Sequence, residues 1–288
     1  MWILLGFLTA LFTTFQEIVT KRIVGKIDPY VIAWSWLFFS LPFYLIVFLK
    51  EPMPPIGPDF WKALIVSTVI LSVACVYYVK AIQVSDLSLC VPMLAFTPLF
   101  LLGTSPLLVN EFPTPVGLIG VIVIVIGSYI LNIRDMKNGW LMPFKDLITQ
   151  KGPRYMLIVA FLFSIGANMD KIGVVNSSPI VWIFTLNFCV CVVLTFVMLK
   201  RSRDIWPQMR NQLGWLCLAG FYNGAAILFQ MFAIKLTLVS YLIAVKRTSA
   251  LMTAFYGLLI LKEEGFKERL IGAFLMVLGV YLIAFTSH

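Results

Sequence analysis

Two stretches of the chain carry one pattern, EFPTPVGLIGVIVIVIGSY at Glu111–Tyr129 and EEGFKERLIGAFLMVLGVY at Glu263–Tyr281. They are 152 residues apart, and Glu, Leu-Ile-Gly, Gly and Tyr fall at matching positions in both. The match extends upstream at the same offset, to Ala81 opposite Ala233. A constant offset predicts a chain built from two copies of one unit.

The composition predicts an integral membrane protein. Of the 288 residues, 61% are hydrophobic and only 12% are charged, and the mean hydropathy is +0.97, which exceeds what a soluble core needs. The apolar runs are continuous rather than alternating, so they favour helices over strands. About 20 residues cross a bilayer core as a helix, and ten segments qualify: 2–20, 29–49, 62–83, 88–109, 115–133, 155–174, 180–199, 213–234, 239–261 and 269–286.

The repeat divides these ten spans into two halves. We expect a first five-helix repeat at 1–133, a linker at 134–154 and a second five-helix repeat at 155–288. Because each half has an odd number of spans, the second enters the membrane inverted relative to the first. Inverted repeats favour alternating access, with two states of one binding site, over a channel or a scaffold.

The loop charges predict the orientation and the partners. Loops after odd-numbered spans contain 16 Lys and Arg residues, whereas the opposite loops contain three. By the positive-inside rule, both termini are expected outside the cytoplasm of a prokaryotic cell, in whose cytoplasmic membrane we expect the protein. The net charge is +9, but the basic residues lie in short loops beside the spans, where they can contact anionic membrane lipid. Membrane lipid is therefore expected as a partner, and nucleic acid is not.

The sequence offers no chemistry for catalysis. The only histidine is His288, and the cysteines lack the spacing of a metal site. No nucleotide-binding loop is present in the sequence. We therefore expect no enzyme, no catalytic residue, no metal and no cofactor. Energy for transport is expected from an ion gradient, such as protons, or from exchange with a counter-substrate.

Lys246 and Arg247 are the most informative charges, since both lie inside the ninth span. A charge at such depth costs roughly 3 kcal/mol unless it faces a cavity or a partner. The offset places them opposite Leu94 and Ala95, so the repeated fold does not itself require cations there. We predict that they bind substrate. The alternative is a salt bridge between Arg247 and Asp170 of the sixth span, which would also make Asp170 a candidate proton acceptor.

Further polar side chains inside the spans complete the predicted site. Tyr222, Asn223, Asn168, Gln230 and Tyr241 are candidate substrate contacts. The residues assigned to gating or coupling are Asp170, Lys171, Glu17, Lys21, Tyr77, Lys80 and Pro92.

Several of these assignments have simpler structural interpretations. Glu17 and Lys21 are spaced as a helix-surface pair, or could form, with Tyr77 and Lys80, a gate at the end of the membrane opposite Lys246. Pro92 and Pro98 predict a kink in the fourth span, where the ninth has Ala244 and Ala250. The four repeated glycines predict close helix packing, and Glu111 is expected to cap a helix end.

The pattern of Pro98, Glu111, Gly120 and Gly127, repeated as Glu263, Gly272 and Gly279, resembles the EamA-type half of the drug/metabolite transporter superfamily. Lys21 and Lys171 look like the basic position that ends the first helix of each half. The resemblance implies ten helices around a central cavity formed by spans one, three, four, six, eight and nine. Many members have cytoplasmic termini, in contrast to the orientation that the loop charges predict here.

The Lys246-Arg247 pair is also similar to the phosphate-holding pair of plastid triose-phosphate translocators, which implies an anionic ligand. We therefore expect a secondary transporter of a small polar metabolite that bears phosphate or carboxylate. One alternative is an exporter of amino acids, organic cations or drugs that uses Glu17 or Asp170. A non-transporting membrane scaffold is the remaining alternative.

Overall fold

The computed structural model describes residues 1–85, 90–132, 150–259 and 266–286, in which the regular structure is helical apart from one isolated bridge between Val24 and Ile27. The predicted ten-helix architecture is confirmed. Most of the predicted linker, together with Lys262, Glu263 and His288, lies outside the described residues. The first five spans are Trp2–Ile23, Pro29–Phe38 with Leu41–Phe48, Phe60–Val84, Val91–Phe96 with Thr97–Val109, and Pro115–Asn132. The second five are Lys151–Val175, Pro179–Arg201, Ile205–Ile234, Val239–Lys246 with Thr248–Leu259, and Phe266–Thr286.

Within the described residues, six helical stretches are long and apolar enough to cross a bilayer, and in the second span this stretch is Pro29–Phe48 taken as a whole. They form spans one, two, three, six, seven and eight. Shorter apolar helices at Met93–Val109, Pro115–Ile130 and Leu270–Phe285 belong to spans four, five and ten. The ninth span consists of two short helices.

The fourth and ninth spans are both broken near their middle. In the fourth, the 3₁₀ segment Val91–Phe96 starts with Pro92 in its first turn, and Pro98 lies in the first turn of the following helix, which confirms the predicted kink. The ninth span is broken as well, since its helix stops at Lys246 and restarts at Thr248.

Hydroxyl groups stabilise both breaks in the same way. Thr97 Oγ1 donates to the carbonyl of Leu94 at 2.8 Å, and Thr248 Oγ1 donates to the carbonyl of Val245 at 2.8 Å. A hydroxyl that bonds a carbonyl three residues back supplies a local partner for that carbonyl at a helix break. Both breaks therefore have such a partner, although alanines in the ninth span replace the prolines of the fourth.

The fifth and tenth spans pack closely through their repeated glycines. A Cβ on Gly120 would lie 2.9 Å from the carbonyl oxygen of Gly279, and one on Gly127 would lie 2.8 Å from that of Gly272. A Cβ on Gly279 would approach the carbonyl oxygen of Gly120 to 2.6 Å. These distances confirm that the glycines serve helix packing.

We predict that Gly279→Val lowers the thermal unfolding midpoint of the protein in detergent. The added side chain forces the two backbones apart, and overpacking of this kind costs about 1–3 kcal/mol. Gly103→Val is the matched control, because a Cβ at Gly103 meets nothing within 4 Å. Equal midpoints for the two variants would contradict the packing role.

Candidate functional site

Lys246 and Arg247 lie at the break in the ninth span, and both side chains are half-buried. Lys246 Nζ donates to Gln230 Oε1 at 2.7 Å, and Arg247 Nη2 donates to Thr97 Oγ1 at 2.8 Å. The two cations therefore tie the ninth span to the eighth and to the break in the fourth. The Nε atom of Arg247 is buried and has no hydrogen-bond partner among the described residues.

Two carboxylates lie near these cations. Glu17 Oε2 accepts a hydrogen bond from Thr253 Oγ1 at 2.8 Å and interacts electrostatically with Lys246 and Arg247. Asp170, only 7% exposed, accepts from Trp182 Nε1 at 3.0 Å and interacts electrostatically with Lys246. Together, Glu17, Asp170, Lys246 and Arg247 form a charged cluster to which both repeats contribute.

The alternative interpretation of Arg247 is wrong: Arg247 bonds Thr97 and Asp170 bonds Trp182, so the two do not form a salt bridge. Glu17 contacts Thr253, which lies in the half of the ninth span beyond Lys246 and Arg247. The predicted position of Glu17 toward the opposite end of the membrane stays a prediction. A role for Asp170 as a proton acceptor stays a prediction.

Four candidate substrate contacts have structural partners away from Arg247. Asn168 is fully buried and bonds hydroxyls of the fourth span, with Ser105 Oγ at 2.8 Å and Thr104 Oγ1 at 3.0 Å. Asn223 donates to the carbonyl of Trp36 at 3.3 Å. Tyr241 OH accepts from the Thr114 amide at 3.0 Å, and Tyr222 packs against Phe12 and Phe15. Substrate roles for these four stay predictions, whereas Gln230 joins the cluster through Lys246.

The predicted gating residues of the third span form an aromatic contact with the start of the sixth. The Tyr77 and Tyr155 rings meet edge to face with centroids 5.5 Å apart, and Lys80 Nζ lies 5.4 Å from the Tyr77 ring centroid. Lys21 is exposed at the end of the first span. Tyr77 and Lys80 are thus in contact with each other, and the gating roles of Tyr77, Lys80, Lys21 and Pro92 stay predictions.

Comparison with known proteins supplies the identification. The model of the EamA-like transporter family matches residues 1–133 and 150–285. The chain belongs to this family. It is therefore a multi-pass membrane protein and a transporter of small solutes. No curated protein matches the chain.

A solved structure shows the same fold. A crystal structure described only as "Crystal structure of protein" is similar to this EamA-like transporter with a TM-score of 0.78 over 99% of this chain and 97% of the other. The sequences are 13% identical, so the likeness concerns the fold alone.

Sequence reasoning missed the hydroxyl and indole partners of the cluster, namely Thr97, Thr253 and Trp182. One signal was present for Thr97, because the offset of 152 places it opposite Ser249, beside the Lys-Arg pair. Thr253 and Trp182 gave no comparable signal, since a single hydroxyl or indole in a span is usually packing or interhelical bonding.

A second charged contact ties several spans together at one end of the transporter. Lys171 Nζ lies 3.0 Å from Glu111 Oε1, with side-chain exposures of 17% and 12%. Lys171 also donates to the carbonyls of Ile234 and Thr237 at 2.6 and 2.8 Å. Glu111 Oε2 accepts from the amide of Val239, the first residue of the ninth span, at 2.7 Å. The expected capping role of Glu111 is thereby confirmed.

We predict that Lys171→Met lowers the stability of the transporter by about 3 kcal/mol, because it leaves the Glu111 carboxylate without its cation. Thermal unfolding in detergent measures the loss. Adding Glu111→Gln to Lys171→Met is expected to restore part of it, since a neutral amide can still accept from Val239.

Lys62→Met serves as the control, because Lys62 is exposed at the start of the third span. The interpretation is wrong if the double variant is as unstable as Lys171→Met, or if Lys62→Met has the same effect.

Proposed function

We propose that this EamA-like transporter moves a small polar metabolite bearing a carboxylate or phosphate group, by alternating access of its two repeats. The observation that carries the proposal is Arg247, whose Nη2 bonds only a hydroxyl of the other repeat and whose buried Nε has no partner among the described residues. A guanidinium favours a forked, charge-assisted contact with an anion. Lys246 adds a second positive charge beside it.

The helix breaks support an anionic ligand. The helices Thr97–Val109 and Thr248–Leu259 both begin within the membrane, and the start of a helix carries partial positive charge. Broken helices of transporters direct such ends at anionic groups of their substrates. Here Thr97, the first residue of the half-helix in the fourth span, contacts Arg247. Arg247 in turn directly precedes the half-helix of the ninth span, which begins at Thr248.

The same contacts suggest how binding could be linked to movement. Thr97 belongs to the first repeat and Arg247 to the second, so their hydrogen bond crosses between the repeats. An anion that takes this donor from Thr97 would replace a contact between the repeats by a contact with the ligand. Differential binding of this kind is what shifts a conformational equilibrium.

Amino acids are the second candidate substrates, because the charged cluster also contains Glu17 and Asp170. An amino acid carries both charges, so its carboxylate could bind Arg247 while its ammonium group binds one of the carboxylates. An organic cation would use the carboxylates alone and would be repelled by Lys246 and Arg247.

We predict that anions raise the thermal unfolding midpoint of the purified wild-type protein but not that of Lys246→Gln/Arg247→Gln. A ligand at 100 times its dissociation constant stabilises by about 2.7 kcal/mol. The panel comprises inorganic phosphate, phosphate esters, carboxylates, amino acids and organic cations. Lys235→Gln is the control for removal of a cation, since Lys235 is exposed after the eighth span.

The outcomes separate the candidates. Anions that stabilise the double variant as well as the wild type would contradict the anionic site. Stabilisation by amino acids that is lost in both the double variant and Glu17→Gln would instead support the zwitterionic substrate.

We also propose that transport is driven by a proton gradient or by exchange with a counter-substrate. Uptake into proteoliposomes with and without each gradient tests this energy source.

We also propose that the cation-rich loops face the cytoplasm, with the protein in a prokaryotic cytoplasmic membrane. The support is the charge of the exposed residues, for example Arg22 and Lys26 after the first span and Arg201 and Arg203 after the seventh.

In a variant without native cysteines, Arg203→Cys is expected to resist a membrane-impermeant thiol reagent added to intact cells, and Met53→Cys is expected to react. Both positions are exposed, in loops on opposite sides of the fold. Labelling in broken cells verifies that each thiol can react. The reverse pattern in intact cells would invert the proposed orientation.

A further inference from the structure

The eighth span is longer than the membrane requires. It runs over 30 residues, Ile205–Ile234, which is roughly 45 Å at 1.5 Å per residue, whereas the hydrocarbon core is about 30 Å thick. The sequence predicts its start at 213, and Gln212 departs from helical geometry with φ −128° and ψ 17°. The segment 205–211 is therefore a separate helical piece at the level of the lipid headgroups.

This segment is fixed to the loop that follows the first span. Gln208 Nε2 donates to the carbonyl of Arg203 at 2.8 Å, and Gln208 Oε1 accepts from the amide of Asp28 at 2.8 Å. Asp28 in turn caps the second span by accepting from the amide of Tyr30. The direction of the chain before Gln212 is thus held by specific hydrogen bonds.

Beside Gln212 lies a surface cavity of about 440 Å³ that is largely open to the outside and is lined by residues 210–215 and Leu218. A Cβ on Gly214 would meet nothing within 4 Å, so the space beside it is open. Trp215, 37% exposed, forms part of the wall. The guanidinium carbon of Arg22 lies 5.0 Å from the centroid of the Trp215 indole, and the exposed Arg210 lines the outer part.

We propose that this cavity binds the phosphate headgroup of an anionic phospholipid, with Arg22 and Arg210 as the cations that bind the phosphate. Arginine pairs with phosphate through parallel N–H donors, and basic pockets at the membrane surface bind lipid headgroups. Trp215 sets the depth, since tryptophan concentrates at the boundary between headgroups and acyl chains.

The surroundings favour a lipid over a water-soluble phosphate compound. Trp206 is 75% exposed and Leu213 is 47% exposed, and both would meet acyl chains beside the cavity. Lys200, Arg201 and Arg203 are exposed just before the segment, so its electrostatic environment complements an anionic membrane surface. The site involves neither Arg247 nor Lys246, so it is independent of the proposed substrate site.

The experiment measures lipid retained by the purified full-length protein, using native mass spectrometry with added phosphatidylglycerol or phosphatidylcholine. We expect the wild type to retain phosphatidylglycerol in preference. Arg22→Gln/Arg210→Gln is expected to lose about fivefold in affinity for each cation removed, the usual contribution of a basic residue near an anionic surface. Lys200→Gln/Arg201→Gln, which removes two exposed cations outside the cavity, is expected to lose less.

A second variant tests the cavity without changing charge. Gly214→Leu fills the open space and is expected to exclude the lipid, whereas Gly103→Leu places the same side chain in open space elsewhere and should not. If the arginine variant fails to fold, the comparison of Gly214→Leu with Gly103→Leu still tests lipid binding in the cavity. Undiminished retention in Gly214→Leu, equal losses in the two charge variants, or displacement of the lipid by millimolar inorganic phosphate would each overturn the proposal.

Discussion

The hydrocarbon core of a bilayer offers no water to a backbone amide or carbonyl, so every break in a spanning helix needs partners from the protein. This constraint is visible wherever a span is interrupted. In the second span, the carbonyl of Leu37 accepts from Asn187 Nδ2 at 2.9 Å and from Ser40 Oγ at 2.8 Å. In the ninth, the carbonyl of Ser249 accepts from Thr14 Oγ1 at 3.3 Å. Polar side chains on neighbouring spans thus maintain the breaks, and the break in the ninth span lies at the Lys246-Arg247 pair.

The hydrophobic pattern and the internal repeat were enough to predict the ten spans, because a span is defined by composition and length rather than by tertiary contacts. The kink of the fourth span was predictable for a similar reason, since Pro92 and Pro98 act on their own backbone. The break at Arg247 was not predictable, because no proline marks it and because the contact of Arg247 with Thr97 arises only when the fourth and ninth spans pack together. Arg247 and Thr97 are both visible in the sequence, but the packing of the fourth span against the ninth that brings them together is not.

The residues of the candidate site could be predicted from the sequence, whereas their contact partners could not. Lys246, Gln230, Glu17 and Asp170 were all expected to have functional or coupling roles, since each is a polar group in an apolar run. Their partners required the packed structure, because helix spacing relates residues within one span only. Glu17 illustrates this: its sequence neighbour Lys21 suggested a local pair, but its carboxylate contacts Thr253, which is 236 residues away.

The cations inside this protein differ in how fully their charge is matched. Lys171 has a carboxylate at 3.0 Å and two carbonyls, and charge-assisted contacts of this kind are roughly twice as strong as neutral ones. Lys246 and Arg247 instead bond a neutral amide and a neutral hydroxyl, and no carboxylate among the described residues lies within 4 Å of either. An anionic ligand at Lys171 would gain little, because the Glu111 carboxylate already pairs with this cation. An anion at Arg247 would replace a neutral acceptor by a charged one. The proposed substrate role of Arg247 therefore rests on the weakness of its existing partners, whereas the strength of those of Lys171 supports a structural role for that lysine.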